Sequence, residues 1–170
     1  VRHQAVEWLV PLARWRHTRV LHEAVGHDTR AVPGRTLPVD WLVGAAILVP
    51  TAEFRAVGGF DERFFMNSEE VDLQRRLRGR GVPSVYCGTV HVVHEGGGSS
   101  GDGARRRAWL VEGRTRYAQK WGGRRRQLAA LTAASVVNLG WGAARAAVGR
   151  PTAPLRTFRR EMAWIHRPGA

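Results

Sequence analysis

The segment VDWLVGAAILV, from Val39 to Val49, is apolar at almost every position and is closed by Pro50. An amphipathic element would alternate or recur at helical spacing. Unbroken apolarity over this length instead predicts a strand covered on both faces, as in the mostly parallel sheets of α/β proteins. The neighbouring sequence supplies helices to cover such a strand. Thr51 is placed to cap a short helix running through Val57, with Gly58 and Gly59 as its stop. After the turn FDERFF, Asn67 or Ser68 can cap a second helix from about 69 to 80. Its first turn holds Glu69, Glu70 and Asp72, and Arg75, Arg76, Arg78 and Arg80 lie toward its end, an order that complements the helix dipole. The runs PSVYC and TVHVVH predict short strands near 82–94, followed by a glycine-rich stretch, EGGGSSGDG.

Outside this block the pattern is helical. Residues 104–121 carry Trp109 and Tyr117 among basic residues, residues 126–148 are mostly Ala, Val and Leu, and Leu155, Phe158, Met162 and Ile165 recur at helical spacing after Pro151. At the other end, Val6, Leu9, Val10 and Ala13 have helix-like spacing broken by Pro11, and residues 26–38 read as a loop. A length of 170 residues suits one domain with an appendage. The expected organisation is a loop-rich lead-in over 1–37, an α/β core over 38–103 and a basic helical appendage over 104–170. The chain opens VRHQAVEWLV, with neither a starting Met nor a signal-peptide pattern, and is read as a fragment.

The net charge of +13 is unevenly placed. Residues 1–100 hold twelve Arg against eleven acids, whereas residues 101–170 hold fourteen Arg and Lys120 against Asp102, Glu112 and Glu161, a net of +12. Whatever the first hundred residues do is therefore not done by bulk charge. Only Lys120 among the basic residues is lysine, a bias of the kind GC-rich coding produces, so the arginine count alone is no evidence of phosphate recognition. Cys87 stands alone, which excludes an internal disulfide and a cysteine-built zinc site and suits a reducing, cytoplasmic setting. A hydrophobic content of 44% excludes wholesale disorder and a polytopic membrane protein.

Six of the fourteen acids fall between Glu53 and Asp72, three of them in EEVD at the expected helix start. Helix capping and dipole chemistry explain acids there, yet one would suffice, and adjacent Glu69 and Glu70 repel. A carboxylate pair where strands end and helices begin is also where α/β enzymes keep a general base, so both readings stand. His94 precedes the glycine-rich stretch and His91 lies three residues earlier. On a strand the two would face opposite sides and could not easily share a metal.

The order of motifs across this block resembles the second half of family 2 glycosyltransferases of the rhamnosyltransferase and galactofuranosyltransferase type. The D-W-x-x-G-A strand of those enzymes corresponds to Asp40 to Ala45, the G-G-F-D-E-x-F-F turn to Gly58 to Phe65, the E-D-x-D-L helix start to Glu69 to Leu73, and the closing H-x-G-x-S to His94 through Ser99 or Ser100. With WLVEGRTRYAQKWGG included, the likeness covers roughly residues 38–121. It implies the acceptor-side half of a GT-A, Rossmann-like glycosyltransferase domain and an inverting single displacement, in which an acceptor hydroxyl attacks the anomeric carbon of a nucleotide sugar. By the same resemblance Glu70 is the catalytic base, Asp40, Trp41, Glu69 and Asp72 bind substrate, and His94 helps hold a divalent cation, Mg2+ or Mn2+, or the diphosphate. Two departures are visible. Glu70 stands where the family has Asp, and no D-x-D metal motif or nucleotide-binding half occurs in these residues, so the chain alone is expected to be inactive.

The implied function is transfer of a sugar, with rhamnose from a thymidine diphosphate donor the one suggested by family analogy, to a lipid-linked or cell-wall glycan acceptor. The basic tail beside the uncharged run Gln127 to Ala144 predicts docking on an anionic membrane surface, peripheral at the inner face of the plasma membrane, without spanning it. Two alternatives remain at this stage. One is a basic nucleic-acid-binding protein, suggested by Arg105 to Arg107 and Arg124 to Arg126; it lacks any helix-turn-helix, zinc-finger or RNP pattern, so no nucleic-acid partner is expected. The other is a noncatalytic membrane-surface module.

Overall fold

The structure is a computed structural model that describes residues 2–15, 17–94 and 102–166. It is a mixed structure of seven α-helices and a small two-stranded sheet among the described residues. The chain divides into two compact units, one made of residues 1–29 with 118–170 and the other of residues 30–117.

The first unit is helical. It contains α1 (Arg2–Trp8), a 3-10 turn at Val10–Trp15, α2 (Arg19–Ala24), α6 (Arg124–Ala147) and α7 (Pro154–His166). Helix α6 packs against both α7 and α1. Its apolar core includes Trp8, Leu131, Ala134 and Ile165. The polar positions that interrupt the apolar run of α6 turn inward and fasten α1. Trp8 Nε1 donates to Ser135 Oγ at 2.8 Å, Asn138 Nδ2 donates to Trp8 O at 3.0 Å, and Val10 N donates to Asn138 Oδ1 at 2.8 Å. Asn138 thus satisfies the carbonyl and the amide left open where α1 ends and Pro11 breaks the helical pattern. Replacing Asn138 with Leu keeps the bulk and strands the buried carbonyl of Trp8 and the half-buried amide of Val10, so a loss of about 2 kcal/mol is expected by urea denaturation. Gln127, fully buried, donates from Nε2 to Gln4 Oε1 at 2.9 Å. Within the segment expected as a loop-rich lead-in, α1 and the 3-10 turn thus pack on α6, while residues 25–35 are irregular. Val136, Val137 and Trp141 remain exposed on α6.

The second unit contains β1 (Thr36–Val39), α3 (Thr51–Ala56), α4 (Glu69–Arg78), β2 (Ser84–Cys87) and most of α5 (Gly103–Trp121), with the unit boundary falling inside α5. Strands β1 and β2 are antiparallel, with Thr36 opposite Cys87 and Val39 opposite Ser84. Two more backbone bonds continue the pairing, Gly88 N to Arg35 O at 2.8 Å and Gly34 N to Gly88 O at 2.7 Å. Leu37, Phe64, Leu73, Leu77 and Val111 are buried in this unit.

Two expected strands do not form. The run Val39 to Val49 is strand only at its first residue, and residues 40–50 are irregular, with Leu48 almost fully exposed. A doubly covered strand needs ladder partners on both edges, and β2 pairs no further than Val39. The run TVHVVH is likewise not in a strand, and Val92 and Val93 are exposed. Helices α3, α4, α5, α6 and α7 lie within a few residues of expectation, and α3 begins after Pro50 with no side-chain cap from Thr51.

Candidate active site at the start of helix α4

The turn that enters α4 is unusual in two successive residues. Asn67 and Ser68 both have left-handed backbones, at φ 69° and 73°. Ser68, at the N-cap position, makes no side-chain cap bond, so neither capping candidate works as a cap. Each such conformation costs a non-glycine residue about 1–2 kcal/mol and persists only where the surroundings impose it. Helix α5 imposes it here. A methyl group on Gly113 would run into the carbonyl of Asn67 and lie 2.9 Å from that of Met66, so the turn rests directly on the bare face of α5. Phe65 packs on Trp109 with ring centroids 5.4 Å apart, and Arg75 Nη1 donates to Tyr117 Oη at 3.1 Å.

This turn aims Glu69 and Glu70. Both are half-buried, and one carboxylate oxygen of each is shielded from water without a hydrogen-bond partner. Burial pushes the Glu70 carboxyl above the usual glutamate range; backbone N–H groups around the helix start oppose the shift, and the charge of Glu69 adds to it. A carboxylate that holds its proton more tightly than usual is a better proton acceptor at neutral pH. Gly44 covers it from the loop after β1, where a Cβ would lie 3.4 Å from that of Glu70.

The same loop carries Asp40 and Trp41. Asp40 is almost fully exposed at its carboxylate, which lies 3.8 Å from Arg78 Nη1, while Arg78 Nη2 donates to the carbonyls of Val39 and Asp40. Trp41 is partly exposed. The structure therefore brings the loop of Asp40 and Trp41 onto the helix of Glu69 and Glu70. Asp72 is placed differently from the substrate-binding position expected for it. Its side chain is fully buried and paired with Arg76 Nε at 2.8 Å, and Arg76 Nη1 in turn donates to Val57 O at 2.6 Å, so the pair ties α4 to the end of α3.

His91 and His94 are both exposed in the irregular segment after β2, and with no ladder there the expected alternation between them has no structural basis. Residues 95–101, including Ser99, Ser100 and most of the glycine-rich stretch, lie outside the described residues. Among the described residues no group of three or more His, Cys, Asp or Glu side chains is close enough to hold a metal ion. His94 on its own does not make a divalent-cation site.

Gln74 was not singled out from sequence, and Gly44 was seen only as the glycine of the Asp40 to Ala45 motif. Gln74 follows Glu70 by one helical turn and is buried on the face that carries Leu73 and Leu77. A glutamine on the apolar face of a helix was the available signal.

The loop and helix with their half-buried carboxylate have the makings of a proton-accepting site, and the comparisons point to one class of chemistry, sugar transfer. Over 64 residues the chain is 48% identical to an N-acetylglucosaminyl-diphospho-decaprenol L-rhamnosyltransferase of Mycobacterium tuberculosis, found in two strains; the match covers 38% of this chain and 21% of that protein. Over 77 residues it is 35% identical to rhamnosyltransferase WbbL of Escherichia coli K12, covering 45% of this chain and 26% of the relative. The matched region thus spans about a fifth to a quarter of the length of these curated relatives. No family profile and no solved structure matches.

Proposed function

We propose that this chain is the acceptor-side, base-carrying portion of an inverting glycosyltransferase of the GT-A type. The observation that carries the reading is the half-buried Glu70, with its raised carboxyl pKa, held under the Asp40–Gly44 loop in a chain 48% identical over 64 residues to a rhamnosyltransferase. Glu70 takes the proton of an acceptor hydroxyl as that oxygen attacks the anomeric carbon of a nucleotide sugar, and the nucleoside diphosphate leaves with the bond electrons. Trp41 and Asp40 line the approach of the sugars. Rhamnose is the donor sugar, and a lipid-linked diphospho-glycan is the acceptor, by analogy with the printed activity of the mycobacterial relative. The donor's diphosphate and any divalent cation it carries require groups beyond the described residues, to which His94 adds one ligand. The test is transfer of labelled rhamnose from its nucleotide donor to a lipid-linked acceptor by the complete protein. No transfer from any nucleotide sugar, with the protein folded, would overturn the reading.

Residues 101–170 are proposed to rest on the membrane face where such acceptors lie. No helix among the described residues is long and apolar enough to cross a membrane. The exposed Val136, Val137, Trp141 and Leu155 accompany a net charge of +12 over residues 101–170. Each cation near an anionic leaflet adds about 1 kcal/mol, so vesicle co-sedimentation should be strong with anionic lipid and fall steeply with salt, leaving a residual apolar component. Equal binding to neutral vesicles at high salt, or tight binding to duplex DNA without vesicle binding, would contradict it.

A further inference from the structure

Gln74 is 3% exposed, and all four hydrogen-bonding positions of its amide are used. Oε1 accepts from Leu42 N at 2.7 Å and from Ser84 Oγ at 2.9 Å. Nε2 donates to Leu42 O at 2.8 Å and to Glu70 O at 2.9 Å. Three segments meet on this one side chain: the loop of Asp40, Trp41 and Gly44, helix α4 one turn below Glu70, and the start of β2. Toward Leu42 the amide offers one donor and one acceptor, the same pairing a neighbouring strand would give. It takes the place of a ladder partner at the point where the strand expected over 39–49 stops.

From this geometry we propose that Gln74 is the positioning residue that fixes the Asp40–Gly44 loop over Glu70. The inference rests on Glu70 being the base. Leu42 lies two residues before Gly44, so holding its backbone N–H and C=O sets how closely Gly44 covers the Glu70 carboxylate, and with it how well that carboxylate is shielded from water. The charge that acts on Glu70 is that of Glu69 on its own helix, and the substitutions below do not alter it. Glutamine alone combines the length, the donor and the acceptor. Glutamate lacks both donors and would set its charge against two carbonyls, and methionine fills the space and bonds nothing.

The test compares wild type with Gln74→Met in the complete protein, by amide hydrogen exchange and by transferase kinetics across pH. Exchange at Leu42 should rise by at least tenfold while the amides in the middle of α4 keep their protection. Turnover should fall roughly tenfold to a hundredfold, because loop and base lose their mutual placement. The acid limb of the rate profile should move to lower pH as water reaches Glu70, a displacement that mere loss of folded protein would not produce. Should Gln74→Met fail to fold, Ser84→Ala removes one of the four bonds and should shift exchange and acid limb in the same direction by less. Unchanged protection at Leu42, or reduced turnover with the acid limb in place, would overturn the proposal. If wild type transfers no sugar, the functional reading fails while the exchange at Leu42 still decides whether the clamp exists.

Discussion

Glu70→Gln in the complete protein should lower turnover by roughly a hundredfold to ten-thousandfold and leave nucleotide-sugar binding nearly intact. The loss follows from removing the one side chain placed to accept the acceptor's proton while changing the shape of the site by a single atom. Stability should move the other way. Burial raises the Glu70 carboxyl pKa, so the folded state binds that proton more tightly than the unfolded state does. Folding is then penalised as pH rises through the ordinary glutamate value and up to the raised one, and the penalty is complete above it. The neutral amide removes both this cost and the repulsion from Glu69. Glu70→Gln should therefore unfold at higher denaturant than wild type at pH 7, with the difference vanishing as pH falls below the glutamate range. A residue that weakens the fold and is needed for turnover is what a functional site requires; a simple helix-start acid would show lower stability on replacement and unchanged rate. Glu70→Asp, which restores the residue of the resembled family, should retain or raise activity.

Gly113→Ala should destabilise the protein by about 3 kcal/mol, although alanine is the better helix former by about 1 kcal/mol. The methyl group has nowhere to go, since it meets the backbone carbonyl of Asn67 and not the end of a flexible side chain. Either α5 moves off or the Asn67–Ser68 turn swings away, and the turn carries the first residues of α4 with it. Turnover should fall with stability for that reason. Gly140→Ala supplies the contrast, because this helical glycine has no atom within 4 Å of a new Cβ and should gain stability. Urea denaturation of the two variants would show opposite signs for one chemical change. Equal behaviour would mean that Gly113 is not pressed against the turn.

Helices α3 to α7 were legible because their signals are local, whereas α1 and α2 fell in a segment read as loop-rich. In α4 the acids of the first turn, the arginines of the last and the glycines that follow lie within thirteen residues, Glu69 to Gly81. The strand expected over 39–49 was not, because apolar composition says that a segment would be buried if partners were present and says nothing of the partners. Val39 finds Ser84, and Leu42 finds the amide of Gln74, but Val43 and Leu48 find no cover. The same limit applies to TVHVVH, and with that strand went the reasoning that set His94 apart from His91. At the site, Glu69, Glu70 and the Asp40–Trp41 loop were visible as residue types in order. What holds them together was not, since Gln74 to Leu42 and Gly113 to Asn67 join positions more than thirty residues apart. Asp72 shows the reverse error: it sits in the same acidic motif as Glu70, but two residues along a helix turn a side chain well away from the first, and it meets Arg76 in the interior.

The most direct test of a Glu70-dependent single displacement is the anomeric configuration of the sugar that the complete protein transfers, read by NMR of the product against that of the nucleotide-sugar donor. Attack by an acceptor hydroxyl deprotonated at Glu70, in one step, gives inversion, and Glu70→Gln yields the same inverted product far more slowly. Retained configuration would require a double displacement or a front-face route and would contradict the role given to Glu70.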